Sequence, residues 1–149
     1  MKKFFATIIA VMTVASMFTG CGAAALKDGT YKAKMSEESH GWIDYVEVTV
    51  SDGKISAVDF DSLNDAGDKK SENQEYEDSM VPVSGIGPMT FFKQYEDDLL
   101  AKQDISKVET IAGATGSGNN FKQMVKELQK NMEKGDTTEL IVTAPKEDK

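Results

Sequence analysis

WIDYVEVTVSDGKISAVDF, Trp42 to Phe60, is the stretch that sets the architecture. Val46, Val48 and Val50 fall on one face of an extended chain, with Glu47 and Thr49 on the other. That is the alternation of a strand buried on one side. Asp52-Gly53 supplies the residue types of a two-residue hairpin turn, and Ile55 to Phe60 returns as the partner strand. Upstream, Asp28-Gly29 signals another turn, and Thr30 to Met35 alternates well enough to add a strand. A sheet with one apolar face needs a cover, which the rest of the chain must provide.

Two segments have the helical period that such a cover requires. After the stiffened turn Ser84-Gly85-Ile86-Gly87-Pro88, the residues Phe92, Tyr95 and Leu99 recur at helical spacing, with Phe91 and Leu100 widening the stripe. Further on, VETIAGATGSGNNFKQMV (Val108 to Val125) passes from a small-residue loop into a helix with Phe121, Met124, Val125, Leu128 and Met132 on one face. Gln103 to Val108 links the two helices, Gly135 stops the second, and Leu140 to Val142 reads as a final short strand. Asp61 to Asp78 is acidic, shows little periodicity, and reads as a long surface loop with at most a short helical piece. It is not an EF-hand: after Asp59 and Asp61, Leu63 stands where a third ligand belongs and Lys70 where the glutamate belongs. The expected fold is α+β, an antiparallel hairpin-rich sheet packed by two main helices in a single domain.

The ends and the composition narrow the class. Residues 1–20 read as a signal peptide, with Lys2 and Lys3 ahead of the mostly apolar run Phe4 to Phe18. Phe18-Thr19-Gly20-Cys21 resembles a bacterial lipobox with Phe18 at the usual Leu position, which implies diacylglycerol on Cys21. Cys21 is the one cysteine in the chain, so an internal disulfide, a haem-attachment pair and an iron–sulfur cluster are excluded. Residues 21–27 then form the lipidated cysteine and spacer, 28–143 the domain, and 144–149 a polar tail. The whole chain carries a net charge of −8, and residues 1–20 contribute two lysines and no acids, so the remainder is more acidic still. That charge argues against nucleic acid and against lying flat on anionic lipid.

The loop before the second helix is where chemistry is expected. Gly113, Ala114, Thr115, Gly116 and Ser117 offer backbone N–H groups and two hydroxyls with little side-chain bulk. The free N–H groups and positive dipole end of a helix start favour an anion such as phosphate. His40 and Trp42, the one histidine and the one tryptophan, stand two apart at a strand entrance and are expected to share a face. Two readings are open for them: a ring-stacking tryptophan with a polar histidine beside it, or a core tryptophan with a surface histidine.

The chain resembles the FMN-binding domain family, known from flavin-carrying subunits of the sodium-pumping quinone reductase and the Rnf complex, and especially its small single-domain lipoproteins of Gram-positive bacteria. The segments that carry the likeness, in order, are DGTYKAK (Asp28–Lys34), SHGWIDYVEVTV (Ser39–Val50), SGIGP (Ser84–Pro88) and AKQDISKVETIAGAT (Ala101–Thr115) with the helix after it. The resemblance implies FMN as cofactor. In some members a flavin transferase joins the FMN phosphate to the last threonine of Asp-x-x-Ser/Thr-Gly-Ala-Thr, which is Thr115 here. Glu109 replaces the usual Asp and Ala112 the usual Ser/Thr, so covalent and non-covalent FMN both stay open. Trp42 and His40 are then expected near the isoalloxazine ring, with Ser84, Gly85 and Gly87 as a second backbone wall.

These readings make the protein a lipid-anchored, extracytoplasmic electron carrier rather than a stand-alone enzyme, exchanging electrons between membrane donors and external acceptors. The alternatives are a non-redox ligand-binding or signalling lipoprotein, and a surface domain with a decayed flavin site.

Overall fold

The computed structural model describes residues 24–144. The stretch read as a signal peptide, Cys21 and most of the polar tail lie outside the described residues.

Four strands form one sheet in the order β3-β2-β1-β4. They are β1 (Gly29–Met35), β2 (Ile43–Ser51), β3 (Lys54–Leu63) and β4 (Leu140–Val142). β1, β2 and β3 pair antiparallel as the alternation requires, and Asp52 and Gly53 take positive φ values of 52° and 73° in the β2–β3 turn. A register shift at Thr49/Val50 inserts an extra residue in β3, and so both Ile55 and Phe60 face inward despite their odd spacing. β4 adds a parallel pairing to the antiparallel three, because it returns from a helix to the free edge of β1. The sheet is therefore mixed, within the expected α+β class.

Among the described residues, three α-helices lie between β3 and β4: α1 (Gln74–Ser84), α2 (Pro88–Lys102) and α3 (Thr115–Lys134). α2 packs on β3, and α3 on β1 and β2. Together they bury one core containing Tyr31, Val46, Val48, Phe60, Phe92, Tyr95, Leu99, Phe121 and Leu128. Every apolar position expected on the α3 stripe is buried. Pro88 opens α2, and Gly135 closes α3 with φ 77°. Gln103 caps α2 in the left-handed region, and its side-chain amide accepts from Ile55 N (2.8 Å) and donates to Ile55 O (2.8 Å), extending the β3 edge.

The segment from Asp61 to Asp78 differs from its expected reading as a loop. β3 continues to Leu63, a tight turn follows, Lys70–Glu72 forms a 3-10 turn, and α1 begins at Gln74. The side chain of Asn73 caps α1 by accepting from Tyr76 N, and Gly85 ends it with φ 76°. No residue of α1 is buried and Pro82 interrupts its last turns, so it lacks the apolar period by which helices are read.

Candidate functional site

A cleft of about 1070 Å³ opens where the start of α3 meets the end of β1, the loop before β2, and α1. Gly113 to Ser117 form one wall, Tyr76, Met80 and Phe91 an apolar wall, and Asp44 and Lys70 its polar base.

The helix-start wall is held from behind. Tyr95 is fully buried on α2, and its hydroxyl accepts from Ile111 N (2.9 Å) and donates to Ala114 O (3.2 Å). One phenol thus ties down both ends of the loop, and burial pushes its pKa up. Gly113 sits at φ 86°, and a Cβ there would lie 2.4 Å from the Ser84 carbonyl oxygen. Glycine is needed on both counts. Ala114 occupies the cap position and has no side-chain acceptor to offer. Among the described residues, the N–H groups of Thr115, Gly116 and Ser117 have no hydrogen-bond partner. Three donors and the positive dipole end consequently face the cleft, and Thr115 is exposed at the first helical position.

The polar base is a cluster that the linear chain does not announce. Asp44 continues the inward row of Val46, Val48 and Val50 on β2 but carries a carboxyl. It accepts a hydrogen bond from the Ser62 hydroxyl and one of 2.9 Å from Asn120 Nδ2. Burial pushes its pKa up, opposed by the Ser62 and Asn120 hydrogen bonds and by the nearby Lys70 ammonium. Lys70 is only 7% exposed. Its Nζ lies 4.1 Å from the Tyr76 ring centroid and 5.8 Å from that of Trp42, a cation held against two aromatic rings. Asp61, itself buried, aims this lysine. It accepts from Ser62 N (2.8 Å), Ser71 N (3.1 Å) and the Ser71 hydroxyl, tying the chain around Lys70 to β3. The neighbouring Lys69 turns to the opposite face and pairs with Asp59 at 3.1 Å.

The anticipated residues divide by position. Gly113, Ala114, Thr115, Gly116, Ser117 and His40 line the cleft together. Trp42 does not reach it; its ring is buried one layer behind, edge-on to Tyr76 at 6.0 Å. His40 and Trp42 do not share a strand face. Ser39 and Trp42 exchange backbone hydrogen bonds of 2.8 and 3.1 Å, which put His40 at the tip of a turn with φ 55° and an exposed ring. Ser84, Gly85 and Gly87 do not line the cleft: Ser84 stands against Gly113, and Gly87 packs on the Glu77 carboxylate. Asp44, Lys70, Tyr76 and Asn120 were not anticipated. For Asp44 a signal exists in its parity with the three valines; for the others none is visible locally.

The model of the FMN-binding domain matches residues 41–130, a span containing the loop, the cluster and most of α3. The chain belongs to the FMN-binding domain family. Within it, the chain is similar to the 15 kDa lipoprotein of Treponema pallidum (strain Nichols), at 32% identity over 87% of this chain and 93% of that protein. Its fold is similar to the crystal structure of a Clostridium perfringens protein, with TM-score 0.76 and 35% identity over 80% of this chain and 99% of that one. Membership of the FMN-binding domain family supports FMN as the ligand, and the cleft fits it. The uncapped helix start suits a phosphate, the Tyr76–Met80–Phe91 wall suits a flat apolar ring system, and the buried ammonium suits its polar edge.

Proposed function

We propose that the protein is a lipid-anchored FMN carrier that moves electrons outside the cytoplasmic membrane. The observation that carries this reading is the uncapped start of α3, with Thr115 first in the helix and three free N–H groups facing a cleft of flavin size. When bound, FMN supplies the reversible uptake and release of electrons. The chain supplies the seat. Thr115, Gly116 and Ser117 N–H groups hold the phosphate, the Thr115 hydroxyl is the attachment point for a flavin transferase, and the Tyr76 wall shields the ring from water.

The anchor is Cys21, by the lipobox likeness and the lipoprotein relative. The chain enters the domain beside the far end of α3, where Lys27 N donates to Met132 O at 2.8 Å. Met132 lies seventeen residue steps along α3 from Thr115, about 25 Å along the axis. The tether therefore meets the domain well away from the start of α3, leaving the Thr115 end free to meet donors and acceptors.

The test is intact mass and in-gel fluorescence of the protein made with and without a flavin transferase. The expected product gains FMN less one water, and Thr115→Ala abolishes the gain. Colour released by denaturation identifies non-covalent binding, the form favoured if Glu109 and Ala112 impair recognition by the transferase. A colourless protein that takes up no FMN on titration overturns the reading.

A further inference from the structure

Lys70 has a property that holding a phosphate does not explain. It is nine-tenths buried, it lines the cleft, and among the described residues its ammonium makes no hydrogen bond and no ion pair within 4 Å. A buried charge without a partner is costly. The Tyr76 and Trp42 rings offset part of that cost, and the Asp44 carboxylate acts on it through space. Among the described residues the three N–H donors of the ammonium have no protein acceptor, and the nitrogen is not sealed off from the cleft. The surroundings preserve this arrangement: Asp61 holds Ser71 just after Lys70, the Leu63–Lys69 bridge holds the residue before it, and Ser62 and Asn120 hold Asp44 in place. The fold thus keeps a largely buried lysine at the base of the cleft, with its ammonium open to whatever the cleft holds.

We propose that Lys70 tunes the bound flavin, its ammonium binding the reduced, more negative form more tightly than the oxidised form and so raising the reduction potential. The inference rests on the FMN reading given above. In reduction by dithionite the flavin takes two electrons from the reductant and one proton from solvent, and dithionite is oxidised to sulfite. The flavin ends with one more negative charge than it began with. A fixed positive charge in a low-dielectric site stabilises that added charge strongly, and no reorganisation of water is needed. Lys70 neither gives nor takes a proton in this step. Asp44 works in the opposite sense, since its carboxylate disfavours negative charge added nearby.

The experiment is a spectroelectrochemical titration at pH 8 of the full chain in mild detergent, co-expressed with a flavin transferase and then saturated with FMN. Wild type, Lys70→Met, Lys70→Arg and Asp44→Asn are compared. Lys70→Met is expected to weaken binding of the reduced relative to the oxidised form about tenfold to a hundredfold, a fall of roughly 30–60 mV for a two-electron couple. Lys70→Arg keeps the charge and most of the potential, and Asp44→Asn moves it upward. A purely structural role for Lys70 predicts no such opposed pair of shifts. If Lys70→Met does not fold, Lys70→Gln, which removes the charge and keeps a polar end, decides by the same fall. FMN binding with an unchanged potential once the Lys70 charge is removed overturns the role of Lys70 and leaves the carrier reading intact. Failure of wild type to bind FMN by either route overturns both.

Discussion

Gly118→Ala sets two physical effects of opposite sign against each other. Gly118 is buried in the first turns of α3, where alanine has the higher helix propensity and is worth about 1 kcal/mol to an interior position. The tertiary structure says otherwise. A Cβ on Gly118 would lie 2.1 Å from the Tyr95 hydroxyl oxygen and 2.6 Å from its Cζ, inside a fully packed core. The phenol has to move, and moving it breaks its bonds to Ile111 N and Ala114 O. Overpacking costs about 1–3 kcal/mol. Leaving the Ile111 N–H without its acceptor adds roughly 1–3 kcal/mol. Net of the propensity gain, a loss of about 3 kcal/mol is expected, on the order of 10 °C in melting temperature. Urea unfolding followed by far-ultraviolet circular dichroism and by the fluorescence of Trp42, the one tryptophan, measures it. Gly116→Ala is the matched control two residues earlier: its Cβ meets nothing within 4 Å, so it is expected to stabilise by about 0.5–1 kcal/mol. In Gly118→Ala combined with Tyr95→Phe, the total loss is expected to fall short of the sum of the single losses. A Gly118→Ala protein as stable as Gly116→Ala would refute the packing argument.

Tyr95→Phe alone removes the hydroxyl that ties the loop and is expected to cost about 1–3 kcal/mol. Amide exchange should quicken at Ile111 while the middle of α3 near Leu128 stays protected; uniform exchange would contradict the local role. Gly113→Ala forces alanine to φ 86° with its Cβ 2.4 Å from a carbonyl oxygen that cannot yield, and a loss of about 2–4 kcal/mol together with weakened FMN binding is expected by calorimetry. The pH dependence isolates Asp44. Burial raises its pKa in the folded protein above the 3.8 of the free group. Its protonated form therefore favours folding, a contribution present in full below pH 3.8 and lost as pH rises through the folded value. Asp44→Asn lacks that contribution, so the stability of wild type relative to Asp44→Asn should decline between pH 3.5 and 7. A difference that is flat or rises with pH over that range refutes the assignment.

What could be read from the chain alone was local. The alternation of Val46, Val48 and Val50, the Asp52-Gly53 turn, the stripes of α2 and α3 and the Gly135 stop each declare themselves within a few residues, because side-chain period and turn chemistry act at that range. The small-residue loop ahead of α3 was legible for the same reason, and with it Thr115. α1 was not legible, since none of its residues is buried and its start rests on a single Asn73 cap. The polar base of the cleft was beyond local reading altogether. Asp44, Ser62, Lys70 and Asn120 come from β2, β3, a 3-10 turn and α3, and only chain folding brings them together. Of the adjacent lysines at 69 and 70, the pairing of Leu63 with Lys69 and the grip of Asp61 decide which one turns inward. So the sequence by itself determined the elements and the helix start that awaits a phosphate. The tertiary structure alone decided that a largely buried lysine, without an ion-pair partner among the described residues, faces the same cleft, because burial and electrostatic environment depend on neighbours far apart in the chain.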